Sequence, residues 1–124
     1  MARILLAEDE EVLRMLVCDT LEDVGYELDE ACDGEEALNK ISSTDYDLVL
    51  IDYMMPVFTG LEVIAKVRAN PDNNHVKIMM LSAKSQYSDQ EAALAAGADY
   101  FMAKPFSPIQ LSEKVEEILE QNGI

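Results

Sequence analysis

Four consecutive acidic residues, Glu8-Asp9-Glu10-Glu11, follow the first apolar run of the chain. Asp52 ends the apolar run at 48–51, and two later apolar runs end at Ser82 and Lys104. Carboxylates that crowd together raise one another's pKa, so a positive charge is expected among them. If these runs are neighbouring strands, several carboxylates, a hydroxyl and an amine meet at one edge of a sheet. This combination indicates a divalent-metal site beside a carboxylate that can be phosphorylated.

The composition is typical of one folded domain. Of the 124 residues, 49% are hydrophobic and 27% are charged, values that fit a globular protein and argue against disorder. We therefore expect residues 1–124 to form a single domain. The formal net charge of -16 disfavours direct binding to nucleic acids or anionic membranes, because both are polyanions.

The cysteines and the apolar runs indicate where the protein works. Cys18 and Cys32 suggest a reducing compartment rather than a disulfide framework. The apolar start at residues 4–6 is too short for a signal peptide, and no run approaches the ~20 apolar residues of a membrane span. The sequence therefore predicts a cytoplasmic protein without a membrane partner.

Five short apolar runs alternate with stretches of helical periodicity. The predicted strands are residues 4–7, 28–31, 48–51, 78–81 and 100–103. The predicted helices are residues 12–24, 35–41, 61–69, 89–96 and 108–121. This alternation predicts an α/β fold with a parallel sheet covered by helices on both faces. Five repeats are too few for the common eight-stranded barrel, so we expect an open, doubly wound sheet.

The strand order decides which strand ends meet. In open sheets of this kind, ligands bind outside the carboxyl ends of the strands, where the strand order reverses. With the (βα)5 flavodoxin-like order 2-1-3-4-5, this crevice lies between the first and third strands. Those strands end in Glu8-Asp9 and in Asp52, so the fold and the acidic residues independently predict the same site.

Four short segments of the chain are informative together: LLAEDE at 5–10, LIDYMMP at 50–56 with Gly60, LSA at 81–83 and AKPF at 103–106. These segments resemble motifs of the receiver domain of two-component response regulators. The segments occur in the family's order and spacing, and the resemblance covers essentially the whole chain. Only residues 122–124 follow the predicted fifth helix, so we expect a stand-alone receiver of the chemotaxis- or sporulation-regulator type, without an output domain.

The resemblance implies a role for each residue of the acidic site. Asp52 would accept a phosphoryl group from a sensor histidine kinase or a histidine phosphotransfer protein. Mg2+ would bind the carboxylates of Asp9 and Asp52 and the backbone carbonyl of Met54. Glu8, where the family commonly has Asp, would act through a metal-bound water. The resemblance also implies a signalling domain rather than an enzyme, with only self-phosphorylation and self-dephosphorylation chemistry.

Other residues would respond to the phosphoryl group. Ser82 would hydrogen-bond one of its oxygens, and Lys104, whose bond to the following proline is often cis in this family, would pair with it as a point charge. Movement of Ser82 would make room for the switch aromatic Phe101 and alter the surface of the fourth helix, fifth strand and fifth helix. A downstream effector protein would bind there. Met54 and Lys84 would tune the lifetime of the phosphoryl group.

Two other functions share the chemistry or the fold. A metal-dependent phosphohydrolase of the haloacid dehalogenase family also forms an aspartyl phosphate, but a second Asp two residues after the nucleophile is typical of those enzymes. Met54 holds that position after Asp52. A flavin-binding protein would need a phosphate loop rich in Ser, Thr and Gly after the first strand, where residues 8–11 are acidic. The receiver interpretation is therefore preferred, with the phosphohydrolase as the alternative.

Overall fold

The computed structural model describes residues 2–72 and 75–124. Five strands and five helices alternate along these residues. They are β1 (Arg3–Ala7), α1 (Glu11–Val24), β2 (Glu27–Ala31), α2 (Gly34–Ser43), β3 (Leu48–Asp52), α3 (Gly60–Ala69), β4 (Lys77–Ser82), α4 (Tyr87–Ala96), β5 (Tyr100–Ala103) and α5 (Pro108–Gln121). The strands pair in parallel in the order β2-β1-β3-β4-β5. This confirms the predicted doubly wound, flavodoxin-like fold and its strand order.

Burial of each strand follows its place in the sheet. Every residue of β3 is buried, whereas the edge strands β2 and β5 keep partly exposed residues. Central strands are apolar throughout because helices cover both faces of a parallel sheet. Strands β3 and β4 each extend one residue beyond their predicted carboxyl ends, to Asp52 and Ser82. These two residues therefore belong to the sheet itself and not to the loops that follow it.

Alternate residues of the strands point to opposite faces and form two separate cores. The core beneath α2, α3 and α4 includes the buried side chains Leu5, Val49, Met80, Ile41, Val63 and Ala93. The core beneath α1 and α5 includes Ile4, Leu50, Leu81, Val17, Leu21 and Leu111. Burying one such aliphatic side chain contributes about 1.5–3 kcal/mol, so the helices are held firmly on both faces of the sheet.

Helix α1 buries a narrower face than its apolar residues suggest. Val17, Cys18 and Leu21 are buried, whereas Val12 and Leu16 are 75% and 46% exposed. The periodicity predicted the helix correctly, but its apolar residues extend beyond the stripe that faces the core. Cys18 lies in the core as a small apolar residue, as the sequence predicted.

The helix ends follow local sequence signals. The Ser107 hydroxyl accepts a hydrogen bond from the Gln110 N–H at 3.0 Å, and Pro108 occupies the first turn of α5, as predicted. Gly25 ends α1 with a φ of 112°, a left-handed conformation that favours glycine. Among the helices of the described residues, none has the length and apolar character needed to cross a membrane.

Candidate functional site

Three carboxylates from two neighbouring strands meet at the carboxyl edge of the sheet. Glu8 and Asp9 follow β1, Asp52 ends β3, and oxygen atoms of the three side chains lie within 4.8 Å of one another. Glu8 and Asp52 are 1% and 6% exposed, while Asp9 is exposed to solvent. Carboxylate oxygens are good ligands for hard divalent cations. The structure therefore brings the three predicted side chains to positions where they could hold one metal ion.

Backbone hydrogen bonds continue past the ends of the strands and hold the residues of this edge. The N–H groups of Glu8, Tyr53 and Lys104 donate to the carbonyls of Ala31, Leu81 and Ser82 at 2.9, 3.0 and 2.8 Å, respectively. Each bond joins a residue at or next to the site to a neighbouring strand. The acidic edge is consequently positioned by the sheet and not by mobile loops.

Gly60 brings the start of α3 against the end of β3. Its N–H donates to the carbonyl of Tyr53 at 2.8 Å, and a Cβ on Gly60 would lie 2.5 Å from the backbone oxygen of Asp52. Because that neighbour is backbone, a side chain here would force α3 away from the sheet. This close approach is the physical reason for the glycine in the motif that follows Asp52.

The loop between β3 and α3 contains a strained residue. Val57 has a φ of 71°, which β-branched residues rarely adopt. Across it, the Phe58 N–H donates to the Pro56 carbonyl at 2.9 Å, which closes a strained three-residue γ-turn. The Val57 side chain is 63% exposed. This turn was not predicted from the sequence, because a β-branched residue is not expected at a positive φ.

Lys104 supplies a positive charge at the acidic edge. Its Nζ lies 3.0 Å from Asp52 Oδ1 and 3.1 Å from Glu8 Oε1, and its side chain is 16% exposed. The peptide bond between Lys104 and Pro105 is cis, as the family resemblance implied. The pairing of Lys104 with Glu8 was not predicted, because the sequence placed the lysine against the phosphoryl group alone.

The neighbouring charges shift the pKa values of the buried groups. Burial raises the pKa of the Glu8 carboxyl, and the adjacent Asp52 carboxylate raises it further, while Lys104 opposes both effects. Burial works against the charged form of Lys104, but its hydrogen bonds to Asp52 and Glu8 raise its pKa overall. One ammonium therefore contacts a cluster of three acidic groups, and an additional cation would favour their charged forms.

Ser82 lies beside this cluster at the end of β4. Asp52 pairs with Leu81 in the register of β3 and β4, so the next residue, Ser82, projects from the same edge. The side chain is 1% exposed, and its oxygen accepts a hydrogen bond from the Lys84 N–H at 2.9 Å. A serine hydroxyl that accepts one hydrogen bond still has its own hydrogen to donate.

Phe101 lies on the same face of the sheet as Ser82. Phe101 pairs with Met80 in the register of β4 and β5, and both pack in the core beneath α2, α3 and α4. Ser82 follows Met80 by two residues and therefore points to that same face. The phenyl ring is half-buried.

The two residues expected to tune the phosphoryl lifetime lie in the loops after β3 and β4. Met54 is 59% exposed, and Lys84 is also exposed. The Lys84 Nζ lies 5.4 Å from the centroid of the Tyr53 ring, a distance that fits a cation–π contact. The sequence did not predict this contact. This contact places the Lys84 ammonium near Tyr53, the residue that follows Asp52.

The comparison with known proteins agrees with this geometry. Residues 4–116 match the family described as the response regulator receiver domain. The alkaline phosphatase synthesis transcriptional regulatory protein PhoP of Bacillus subtilis (strain 168) is 38% identical over 122 residues, which cover 98% of this chain and 50% of that protein. The chain spans about half the length of the curated relatives it matches.

Solved structures show the same arrangement over nearly all of both chains. The chemotaxis response regulator CheY4 of Vibrio cholerae is 34% identical and has a TM-score of 0.91, covering 96% of this chain and 99% of that chain. The receiver domain of the sensor histidine kinase PA1611 from Pseudomonas aeruginosa PAO1 has a magnesium ion coordinated in its active site cleft. It is 29% identical with a TM-score of 0.87, covering 96% of this chain and 98% of that chain. The chain therefore belongs to the family of response regulator receiver domains.

Proposed function

We propose that this chain is a phospho-accepting switch of a two-component system or phosphorelay and that Asp52 is the residue that is phosphorylated. The observation that carries the proposal is the ammonium of Lys104, 3.0 Å from Asp52 Oδ1, within a cluster of three acids. This contact puts a positive charge beside the carboxylate that would attack, where a phosphoryl group would arrive. We also propose that residues 1–124 form one receiver domain.

In the proposed reaction, a carboxylate oxygen of Asp52 attacks the phosphorus of a phosphohistidine. The new P–O bond forms as the P–N bond breaks, and the histidine nitrogen leaves with the electron pair. The Ser82 hydroxyl donates a hydrogen bond to one phosphoryl oxygen, and the Lys104 ammonium pairs with another. A sensor histidine kinase or a histidine phosphotransfer protein is the donor that this chemistry requires.

The acidic cluster fits Mg2+ as the cofactor of this reaction. The carboxylates of Asp9 and Asp52 and the backbone carbonyl of Met54 would be the protein ligands, with Glu8 acting through a bound water. The bound ion supplies positive charge that offsets repulsion between the carboxylates and the incoming phosphoryl group. Asp9 is exposed, so one side of the cluster is open to the solvent from which the ion arrives.

The readout that we propose is a change at the surface of α4, β5 and α5. Ser82 and Phe101 share one face of the sheet, and the ring of Phe101 would fill the space that Ser82 leaves. In the helices of this surface, Leu94 and Ile109 are 50% and 70% exposed. Exposed apolar side chains suit a protein effector, and the net charge of -16 disfavours direct contact with nucleic acid.

Signalling fits the site better than turnover of a substrate. The chain belongs to the receiver family, and Met54 rather than an acid follows Asp52 by two residues. The phosphohydrolase alternative is therefore not favoured. The cytoplasmic location and the stand-alone organisation stay predictions from the sequence.

Phosphorylation by a small-molecule donor tests the proposal directly. The protein incubated with acetyl phosphate and Mg2+ should gain one phosphoryl group by intact mass, which decays slowly after the donor is removed. Asp52→Asn should abolish the gain, and Asp47→Asn, which changes an acid at the opposite end of the sheet, should keep it. Labelling of the Asp52→Asn variant at the parent level would exclude Asp52. Continuous release of phosphate with many turnovers would instead favour the phosphohydrolase.

A further inference from the structure

Arg14 reaches from α1 back to the carboxyl edge of the sheet. Its Nη1 donates to the backbone carbonyl of Glu8 at 2.8 Å, and its Nε donates to the Glu30 carboxylate of β2 at 3.2 Å. The side chain is only 19% exposed. Helical side chains lean toward the N-terminus of their helix, which brings this guanidinium to the start of α1. The sequence did not single out Arg14, because its partners lie outside the motif segments or are backbone atoms.

The carbonyl that Arg14 binds belongs to the peptide unit joining Glu8 to Asp9. The N–H of Glu8 is also bound, to the carbonyl of Ala31 at 2.9 Å, and its carboxylate contacts Lys104 Nζ at 3.1 Å. Glu8 is buried, whereas Asp9 is exposed. The orientation of this one peptide unit therefore decides how two consecutive carboxylates reach the same cluster.

We propose that Arg14 is a positioning residue that orients the peptide between Glu8 and Asp9 and thereby sets the affinity of the acidic cluster for a divalent cation. This inference rests on the proposed function. The planar guanidinium suits the role because it donates in two fixed directions, to the carbonyl and to Glu30. Its charge is shared with Glu30, so Arg14 acts by orienting the ligands and not by neutralising them. Groups that orient metal ligands influence metal affinity strongly.

The opposite end of the sheet offers a matched control. Arg68 also has a side chain that is 19% exposed. It donates to a backbone carbonyl, that of Gly97, at 2.9 Å and to a carboxylate, that of Asp99, at 2.8 Å. The two arginines thus make the same kinds of contact at the two ends of the sheet. Loss of either arginine should lower the stability, but of the two only Arg14 adjoins the acidic cluster.

Calorimetric titration of the full chain with Mg2+, together with urea unfolding, tests the role of Arg14. Arg14→Ala should raise the Mg2+ Kd about tenfold or more, and Arg14→Lys should recover part of the loss, because an ammonium can still donate to the carbonyl. Arg68→Ala should lower the stability while leaving the Mg2+ Kd within about twofold of the parent. Phosphorylation of Asp52 by acetyl phosphate is measured in parallel.

The outcomes separate this inference from the proposed function. A parent-like Kd in Arg14→Ala, or equal weakening in Arg68→Ala, would overturn the positioning role while phosphorylation of Asp52 in the parent still stood. A parent protein that bound no Mg2+ would overturn both proposals. If Arg14→Ala does not fold, Arg14→Lys decides, because loss of the two-directional contact should still raise its Kd several-fold. A parent-like Kd in that variant would overturn the role.

Discussion

Acidic residues lie at both ends of the sheet, but they pair differently with positive charges. At the amino end, Asp99 accepts hydrogen bonds from Arg68 at 2.8 Å and from the Ile78 N–H at 2.9 Å. Arg3, the first residue of β1, likewise contacts Asp29 in the middle of β2 at 3.1 Å. Each of these carboxylates has its own arginine, so these contacts stabilise the fold by linking strands and helices.

At the carboxyl end, three carboxylates share one ammonium. Glu8 and Asp52 contact Lys104 at 3.1 and 3.0 Å, and Asp9 adds a third charge to the same cluster. Such an excess works against folding and is retained where a ligand uses it. The difference teaches that Asp99 and Asp29, which each pair with an arginine, stabilise the fold, whereas the clustered acids that share one ammonium form the candidate site.

The largest expected effect comes from removing the ammonium at the carboxyl end. In the presence of Mg2+, Lys104→Ala should keep the fold and still accept some phosphoryl groups. It should nevertheless lose most of the amide shifts that beryllofluoride, an acyl-phosphate mimic, causes in α4 and α5. The reason is that Lys104 links Asp52 to the rest of the site and would bind the phosphoryl group. Chemical-shift mapping measures this loss.

Lys77→Ala, which removes a lysine at the amino end of β4, is the control for this experiment. It should respond to beryllofluoride as the parent does. Equal shifts in Lys104→Ala and the parent would show that Lys104 does not couple the site to the α4 and α5 surface.

A second prediction concerns the binding of Mg2+ at the carboxyl end. Mg2+ at one hundred times its Kd should raise the free energy of unfolding by about 2.7 kcal/mol through mass action. Asp9→Ala should lose most of this increment, because it removes a ligand, while Asp45→Ala should retain it. Thermal unfolding with and without Mg2+ provides the measurement. A parent melting temperature that does not respond to Mg2+ would contradict the site.

The third prediction compares one acid from each end without Mg2+. Asp99→Ala should lower the free energy of unfolding by about 2 kcal/mol, because it removes the carboxylate that accepts hydrogen bonds from Arg68 and the Ile78 N–H. Asp9→Ala should leave stability unchanged or raise it, because Asp9 faces like charges. Urea unfolding of both variants gives the difference. Equal destabilisation by Asp99→Ala and Asp9→Ala would show that the acids at the two ends of the sheet do not differ in their contribution to stability.

The smallest expected effect concerns the lifetime of the phosphoryl group at the carboxyl end. Met54 offers no hydrogen bond to orient an attacking water, and the long Lys84 side chain could cover the phosphoryl group or pair with it. Met54→Asn combined with Lys84→Glu should therefore lose the phosphoryl group several-fold faster than the parent. Loss of phosphoprotein after donor removal, at matched Mg2+, gives the rate. An equal or longer lifetime in the double variant would assign no such role to these positions.

Much of the architecture could be predicted from local patterns. Apolar runs and helical periodicity predicted every strand and helix, because side chains repeat every two residues in strands and every 3.6 in helices. The placement of Glu8, Asp9 and Asp52 together also followed from the sequence, since the carboxyl ends of parallel strands meet at one edge. The strand order came from the usual topology of such sheets and the family resemblance, and the structure confirms it.

Only the tertiary structure decided which residues far apart in the chain contact one another. Lys104 and Glu8 form a pair although 96 residues separate them in the chain. The hydrogen bond from Arg14 to the Glu8 carbonyl depends on how α1 packs against the sheet. The buried stripe of α1 and the γ-turn at Val57 arise in the same way. The sequence alone therefore determined which groups gather at the carboxyl edge. Packing decided which of them pair, because strand register and helix docking set the distances between their atoms.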